Sequence, residues 1–321
     1  MFERIVVPLD GSARAEQALP VAARIARGSG GSIHLLQVVS PPIDYSGGMA
    51  PVALMTEESI EMEMADSTSY LNTVASWQML AGIKTTTEVL FGLPAVHILA
   101  AAESRRADLI VICSHGRTGF RRWVLGSVAH QLVHQSAVPV LVLRESQSAS
   151  LLSHGEAAQP LCTLVPLDGS PLAETALVPA AYLTAALALP AQGALHLAQV
   201  VKILPTTAQE GVISEINEEA RECARTYLAT AGDRLQAKVK DLKLSLTSSV
   251  ELASDVASAL VSLAEYGGER KKSGEVRGCD LIAISTHGRG GLERWVMGSV
   301  TERILNTTKL PMLVVRPRKK G

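Results

Sequence analysis

Two short patterns that combine acidic, glycine and hydroxyl residues each occur twice in this chain. The hexapeptide VPLDGS stands at residues 7–12 and again at residues 165–170. The segments SHGRTGFRRWVLGSV, residues 114–128, and THGRGGLERWVMGSV, residues 286–300, agree at ten of fifteen positions without a gap. A carboxylate accepts hydrogen bonds from amines and hydroxyls, and glycine lets backbone N–H groups approach an anion. The patterns therefore predict a site for a polar, charged small molecule in each half.

The Gly-Ser dipeptide that ends each glycine segment predicts phosphate binding. The dipeptides at 126–127 and 298–299 each open a helical pattern, GSVAHQLVHQ and GSVTERILNT. A helix N-terminus carries free N–H groups and about half a positive charge, which suits phosphate. The earlier glycine, Gly116 or Gly288, is expected to bend the chain out of the preceding strand. The two turns would then form opposite walls of a phosphate cradle.

Both patterns also have interpretations that need no ligand. In GSVTE, Ser299 could cap its own helix with Glu302 three residues on, as in a capping box, whereas the first half has His130 at the place of Glu302. An aspartate before Gly-Ser, as at Asp10 and Asp168, could simply start a turn or cap the next helix. As ligand groups, the two aspartates would instead accept hydrogen bonds from an exocyclic amine or a ribose hydroxyl.

Short apolar runs alternate with helical patterns in both halves. Runs of branched aliphatic residues that are apolar on both faces are typical of strands in a parallel sheet covered on both sides. Between them lie helical patterns, such as residues 13–28 with a predicted stop at Gly28. Five strands alternating with helices predict an open, doubly wound α/β domain, formed twice. The predicted strands are RIVVPL, SIHLLQVV, TTTEVLF, DLIVIC and PVLVLR, then CTLVPL, ALHLAQVV, KLSLTSSVEL, DLIAIS and PMLVVR.

The spacing of the repeats divides the chain into two units. VPLDGS recurs after 158 residues and the glycine segment after 172, so the second half carries 172 − 158 = 14 extra residues between the motifs. Most of them fall in the polar, glycine-rich segment 266–278, which we interpret as an exposed loop. A polar Ser/Ala segment, residues 145–160, joins the halves. We predict a first domain at residues 1–145, a linker at 146–159 and a second domain at 160–321.

Composition narrows the class of partner. The 321 residues include 30 basic and 31 acidic side chains, so a net charge of -1 gives no reason to expect nucleic acid or an acidic membrane as a partner. No apolar run is long enough to span a bilayer, and Glu3 and Arg4 lead straight into a strand instead of a signal peptide. The cysteines have neither CxxC nor paired spacing, which favours a reduced, cytoplasmic protein with incidental thiols. They are Cys113, Cys162, Cys223 and Cys279.

With these motifs the chain resembles the universal stress protein family, in the form that has two family domains in one polypeptide. The family's fingerprint is Gly, two residues, Gly, nine residues, Gly, then Ser or Thr. Gly116 with residues 126–127 and Gly288 with residues 298–299 match all but its first glycine. The family's strand-end pattern V-P-x-D-x-S is present in both halves. The resemblance covers essentially the whole chain.

The resemblance implies a Rossmann-like fold of the adenine nucleotide alpha hydrolase type, with five parallel strands in the order 3-2-1-4-5 and helices on both faces. It implies ATP or a related adenine nucleotide as ligand, with Mg²⁺ recruited through the phosphates. Family members pair through their last strand, so segments 138–144 and 310–316 are expected to pair the halves as an internal pseudo-dimer, with further homo-oligomers and protein partners left open.

The resemblance also implies which residues contact the nucleotide. The strand ends would meet the adenine and ribose, and the glycine segments would hold the phosphates. Where the family has its first fingerprint glycine, this chain has Cys113 and Ser285, whose side chains would crowd a nucleotide. The implied nucleotide-binding residues are Pro8, Asp10, Ser12, Val38 (through its backbone), Cys113, Gly116, Gly126, Ser127 and Val128, and in the second half Pro166, Asp168, Ser170, Val200, Ser285, Gly288, Gly298, Ser299 and Val300.

These observations favour an adenine-nucleotide-binding regulatory protein of stress physiology with at most slow ATP hydrolysis. No GxxxxGK[ST] loop, no catalytic Ser-His-Asp arrangement and no acidic metal cluster is evident. One alternative is a nucleotide-free protein-interaction module of the same fold, with both sites closed. The other is an ATP pyrophosphatase-type enzyme, against which the missing pyrophosphate loop argues.

Overall fold

The computed structural model describes residues 1–41, 56–114, 125–144, 151–152, 160–203, 210–267, 278–287 and 297–317. The first half contains β1 (Arg4–Leu9), α1 (Ala13–Glu16), α2 (Ala18–Ser29), β2 (Ser32–Val39), α3 (Glu57–Ala75), a 3₁₀ turn (Gln78–Leu80), β3 (Thr85–Phe91), α4 (Pro94–Ser104), β4 (Leu109–Cys113), α5 (Ser127–Gln135) and β5 (Val140–Leu143). The second half contains β6 (Cys162–Pro166), a 3₁₀ turn (Ala173–Ala176), α6 (Leu177–Ala188), β7 (Gly193–Lys202), α7 (Glu210–Lys238), β8 (Leu244–Ala253), α8 (Val256–Tyr266), β9 (Leu281–Ser285), α9 (Ser299–Thr307) and β10 (Met312–Val315).

The strands form one ten-stranded sheet in the order β3-β2-β1-β4-β5-β10-β9-β6-β7-β8. Each half is parallel and has the expected order 3-2-1-4-5, which confirms the fold class. The two five-stranded sheets are joined edge to edge, since β5 and β10 pair antiparallel with Met312 opposite Val142. This pairing satisfies backbone groups that two separate sheets would leave open at their edges.

The core lies in two layers, one on each face of the sheet. Ile5 and Val7 of β1 pack in one layer and Val6 packs in the other, because side chains alternate along a strand. Helices α2, α3, α6 and α7 cover the first face, and α4, α5, α8 and α9 cover the second. Within the described residues, none of the helices has the length and apolar character needed to cross a bilayer.

The predicted helix stop at Gly28 is wrong. The helical pattern is interrupted at Gln17, and α2 then runs through Gly28 to Ser29 before Gly30 ends it in the left-handed conformation, with φ of 64°. Gly28 has another reason to lack a side chain. A Cβ there would lie 2.7 Å from the carbonyl oxygen of Ala186 on α6, so α2 and α6 pack backbone to backbone at this point.

Candidate functional site

The turn after β1 is fixed by the strand-end aspartate. Asp10 accepts hydrogen bonds at one carboxylate oxygen from the Ser12 backbone N–H (3.0 Å) and from the Ser12 hydroxyl (2.6 Å). The Ser12 hydroxyl oxygen in turn accepts from the Ala15 N–H (3.2 Å) and caps α1. Gly11 stands between them with φ of 77°, a conformation that favours glycine. The turn interpretation of VPLDGS therefore holds, and any ligand contact by Asp10 is an additional role.

The second half repeats this turn. Asp168 accepts from the Ser170 N–H (2.9 Å) and hydroxyl (2.6 Å), and the Ser170 hydroxyl oxygen accepts from the Ala173 N–H (3.1 Å). Gly169 again has a positive φ, of 86°. The two VPLDGS copies therefore build the same backbone at equivalent strand ends.

Both Gly-Ser dipeptides start a helix, but the glycine is the N-cap. Gly126 and Gly298 are extended, and α5 and α9 begin at Ser127 and Ser299 without a side-chain hydrogen bond at the cap. The capping-box interpretation of Ser299 is therefore wrong, because Ser299 is already the first helical residue. The cap glycines donate their N–H to the strand-exit carbonyls, Gly126 to Ser114 (2.7 Å) and Gly298 to Thr286 (2.8 Å). With no side chain capping these N-termini, their first-turn N–H groups suit an anion.

The strand ends and the start of α5 enclose a cavity of about 270 Å³ in the first half. It brings together the ends of β1, β2 and β4 with the first turn of α5, at the carboxyl edge of the parallel strands where α/β sheets bind ligands. Seven of the nine predicted first-half residues line it. They are Pro8, Asp10, Val38, Cys113, Gly126, Ser127 and Val128.

Two predicted first-half residues are not in this lining. Ser12 has its hydroxyl in the turn beside Asp10, and Gly116 lies outside the described residues. In the second half, Gly288 also lies outside them. The other second-half residues occupy matching strand ends and the start of α9, since β9, β6 and β7 are neighbours in the sheet. They are Pro166, Asp168, Ser170, Val200, Ser285, Gly298, Ser299 and Val300.

Among the polar lining residues that sequence reasoning missed is a glutamine with a buried amide. Gln37, next to Val38 on β2, lines the cavity, and its amide oxygen is buried without a hydrogen-bond partner among the described residues. Gln199 has the equivalent place on β7 and is in the same condition. A buried amide oxygen without a partner is costly and usually marks a missing ligand or water. The repeat was the available signal, because the pattern HLxQVV occurs in both halves, at residues 34–39 and 196–201.

Charge in the first cavity is concentrated in two carboxylates. Asp10 and Glu63 line it, and no described lining residue is basic. Nearby, the Tyr70 hydroxyl donates to Glu16 (2.9 Å), and burial, reinforced by Glu16 and Asp10, raises the pKa of Tyr70. The tyrosine therefore stays neutral at physiological pH. Phosphate groups would find a positive partner at the start of α5.

Cys113 and Ser285 occupy the fingerprint position in different ways. Cys113 is buried at the end of β4, lines the cavity, and directs its thiol toward the Ala15 carbonyl at 3.9 Å. Ser285 is also buried, and its hydroxyl oxygen accepts from the Thr175 hydroxyl and from the His287 N–H, each at 3.4 Å. The two halves therefore present a thiol and a hydroxyl at the same point of their sites.

A thiol pair forms where the sequence predicted incidental cysteines. Cys162 at the start of β6 and Cys279 before β9 have their sulfur atoms 2.9 Å apart, and both are free and half-buried. Asp280 holds them in place, since it accepts from the Cys162 N–H and donates its own N–H to the Cys162 carbonyl, each at 2.8 Å. Both thiols are free, and their close contact is a tertiary feature that the spacing of the cysteines did not indicate.

Comparison with known proteins places these features in a family. The family model described as the universal stress protein family matches residues 1–144 and 163–316. A universal stress protein of Mycolicibacterium smegmatis is 27% identical over 317 residues, which cover 98% of this chain and 97% of that protein. Another, from Methanocaldococcus jannaschii, is 34% identical over 146 residues, which cover 45% of this chain and 84% of that protein.

A solved structure agrees with the whole chain. The crystal structure of a universal stress protein from Archaeoglobus fulgidus superposes with a TM-score of 0.63 and 19% sequence identity, covering 98% of this chain and 99% of that one. At this identity the likeness concerns the fold.

Proposed function

Because the chain belongs to the universal stress protein family, we propose that its first half binds an adenine nucleotide, ATP or a close relative. The nucleotide occupies the cavity between the strand ends and α5, and the second half holds a related but non-identical site. The protein acts as a regulator in the stress response and not as a dedicated enzyme. The observation that carries the proposal is the convergence of seven motif residues on one cavity.

The base end of the site is at β2. Gln37 brings a carboxamide whose oxygen has no partner among the described residues. A carboxamide has an acceptor and donors together, the pair that the N6 amine and N1 of adenine need. The backbone of Val38 is the next contact along the strand. Apolar side chains of Leu36, Ile98 and Ile112 line the same cavity and suit the faces of a flat base. Asp10 accepts a hydrogen bond from a ribose hydroxyl and at the same time keeps its hydrogen bonds to Ser12 in the turn.

The phosphate end is at α5. The Ser127 and Val128 amides stand in the first turn of a helix that no side chain caps, and both residues line the cavity. Asp10 and Glu63 repel phosphate, which favours a nucleotide whose charge is partly neutralised. Mg²⁺ carried by the phosphates suits carboxylate oxygens of this kind. The donor set therefore fits a magnesium nucleotide.

Hydrolysis is expected to be slow. Among the described lining residues there is no histidine or lysine to act as a general base. The carboxylate of Asp10 is already held by two hydrogen bonds from Ser12. Nucleotide binding is therefore the expected function of the cavity.

Calorimetric titration of the full chain with ATP, ADP, AMP and adenosine tests the proposal, with Gln37→Leu as the site variant. We expect saturable binding, and about a five- to hundredfold loss of affinity at the first-half site in Gln37→Leu, because a buried polar contact is worth about 1–3 kcal/mol. Gln199→Leu is the matched control and leaves the first-half site unchanged. Absence of saturable binding by any nucleotide would establish the interaction-module alternative. Turnover of about one per second or faster would establish the pyrophosphatase-type alternative.

We further propose that the halves are domains 1–145 and 160–321, joined by the linker 146–159 and packed as an internal pseudo-dimer. Reciprocal contacts support this arrangement. Arg144, after β5, donates to the Leu305 carbonyl near the end of α9. Arg316, which lies 172 residues later, donates to the carbonyls of His134 (3.1 Å) and Gln135 at the end of α5. A cytoplasmic location and any further homo-oligomer stay predictions from the sequence.

A further inference from the structure

Two histidines and a glutamate meet where the halves join. His130 and His134 come from α5, and Glu302 comes from α9 of the other half. One ligand atom from each side chain lies within 4.8 Å of the other two. None of the three lines the cavity described above. This cluster is therefore separate from the proposed nucleotide site.

The helix period and the repeat explain the meeting. Residues four apart lie on one face of a helix, and the rings of His130 and His134 are 4.2 Å apart between centroids. Glu302 is the repeat equivalent of His130, 172 residues later. The antiparallel pairing of β5 with β10 brings the equivalent helices α5 and α9 to the same junction. Equivalent positions near such a junction face each other.

His134 is half-buried, whereas His130 and Glu302 are exposed. The Nε2 atom of His134 is buried and has no hydrogen-bond partner among the described residues. A ring nitrogen in this state needs a donor or a metal ion to satisfy its lone pair.

We propose that His130, His134 and Glu302 bind one divalent transition-metal ion, best matched by Zn²⁺, and so link the two halves. Two imidazoles and a carboxylate are a common zinc donor set, with water in the fourth position. Donors around a tetrahedral ion lie about 3.4 Å apart, given bonds of about 2.1 Å. The exposed side chains of His130 and Glu302 are free to turn inward by the small distance required. The positive charge of Arg316 lies nearby and repels a cation. The affinity for the ion is therefore expected to be lower than that of a closed structural zinc site.

Titration of the metal-free full chain with Zn²⁺, followed by calorimetry and repeated with Co²⁺ for its absorption spectrum, tests the proposal. Nucleotide is left out because phosphates bind the metal, so the result does not depend on the proposed function. We expect one ion with nitrogen and oxygen ligation, and at least a tenfold loss of affinity in His130→Ala, His134→Ala and Glu302→Gln. His97→Ala, a histidine on α4, is the matched control and leaves affinity unchanged.

The thiol pair Cys162 and Cys279 is the competing zinc ligand, so Cys162→Ser is titrated alongside. Retention of full affinity in both His130→Ala and Glu302→Gln would overturn the proposal. So would loss of Zn²⁺ binding in Cys162→Ser alone, or a thiolate-to-cobalt charge-transfer band in the wild type. Because His130 and Glu302 are exposed, their variants are expected to fold, and thermal unfolding without metal verifies this.

Discussion

The two halves share their turns and differ in the side chains around them. The Asp10–Ser12 and Asp168–Ser170 hydrogen bonds have the same length, 2.6 Å. The helices that follow the glycine segments start in the same way in both halves. At the strand end between them, one half has a buried thiol and the other a buried hydroxyl that is already hydrogen-bonded. The motifs therefore secure the backbone of both sites, while neighbouring side chains decide what each site binds.

The same contrast recurs away from the sites. Arg4 and Ala107 of the first half are replaced in the second half by the thiol pair Cys162 and Cys279, at repeat offsets of 158 and 172. In both halves an aspartate bridges the adjoining strands, as Asp108 accepts from the Arg4 N–H at 3.0 Å. The two halves thus share this backbone arrangement, and the second half adds a pair of thiols that the first half lacks.

The largest expected effect is oxidation of the thiol pair. With hydrogen peroxide as oxidant, Cys162 and Cys279 each lose a proton and an electron, a disulfide bond forms, and the peroxide is reduced to two waters. The disulfide closes a long loop, so we expect about 2–4 kcal/mol of added stability. Chemical denaturation before and after peroxide measures it, in a Cys223→Ser background because Cys223 is exposed.

Thiol counting gives the control for this prediction. In the Cys223→Ser background the three remaining thiols should fall to one on oxidation and return to three with a reductant. Cys279→Ser should show no gain in stability. Persistence of all three thiols under peroxide, with unchanged stability, would contradict the pairing.

The next effect concerns the contact between α2 and α6. Gly28 and Ala186 are repeat equivalents, 158 residues apart, and they pack against each other with no room for a Cβ at Gly28. Gly→Ala inside a helix normally stabilises by about 1 kcal/mol. Here Gly28→Ala should destabilise by about 1–3 kcal/mol, because the new Cβ meets backbone atoms that cannot turn away.

Exchange of the two residues sharpens the test. In the double variant Gly28→Ala with Ala186→Gly, the contact with the Ala186 Cβ is removed while the carbonyl oxygen and Cα of residue 186 stay in place, so only part of the stability should return. Urea unfolding of the wild type, both single variants and the double variant measures the coupling. Strict additivity of the two single effects would show that the halves do not meet as described.

Much of this molecule could be predicted from local signals. The strands were found because buried parallel strands are apolar on both faces, and the site's strand ends were found because VPLDGS and the glycine segment repeat. What was missed depends on tertiary contacts. Cys162 and Cys279 are 117 residues apart and meet only because β6 and β9 are neighbours in the sheet. Gln37 sits in an apolar run, where one amide carries no periodic signal. Gly28 was taken as a helix stop because its true constraint, Ala186, lies in the other half.

The smallest expected effect is a difference in pH dependence between two equivalent histidines, the buried His34 and the half-buried His196. On β2, His34 contacts the Thr86 hydroxyl and the Glu88 carboxylate, each at 2.9 Å. On β7, His196 contacts two neutral hydroxyls, of Thr247 and Ser249, each at 2.8 Å. Burial lowers the pKa of both histidines. At His34, Arg105 adds to this effect and Glu88 opposes it.

A histidine with a lowered pKa in the folded state makes stability fall on acidification, because the unfolded chain binds the proton more readily. The effect is absent well above pH 6.5 and grows as the pH falls below this ordinary value. His196→Gln should therefore lose less unfolding free energy than the wild type between about pH 7.5 and about pH 5.5. His34→Gln should change this slope less, because Glu88 already favours a charged imidazole there. Equal slopes in both variants would show that Glu88 has no influence on His34, and the two halves would then behave alike in acid.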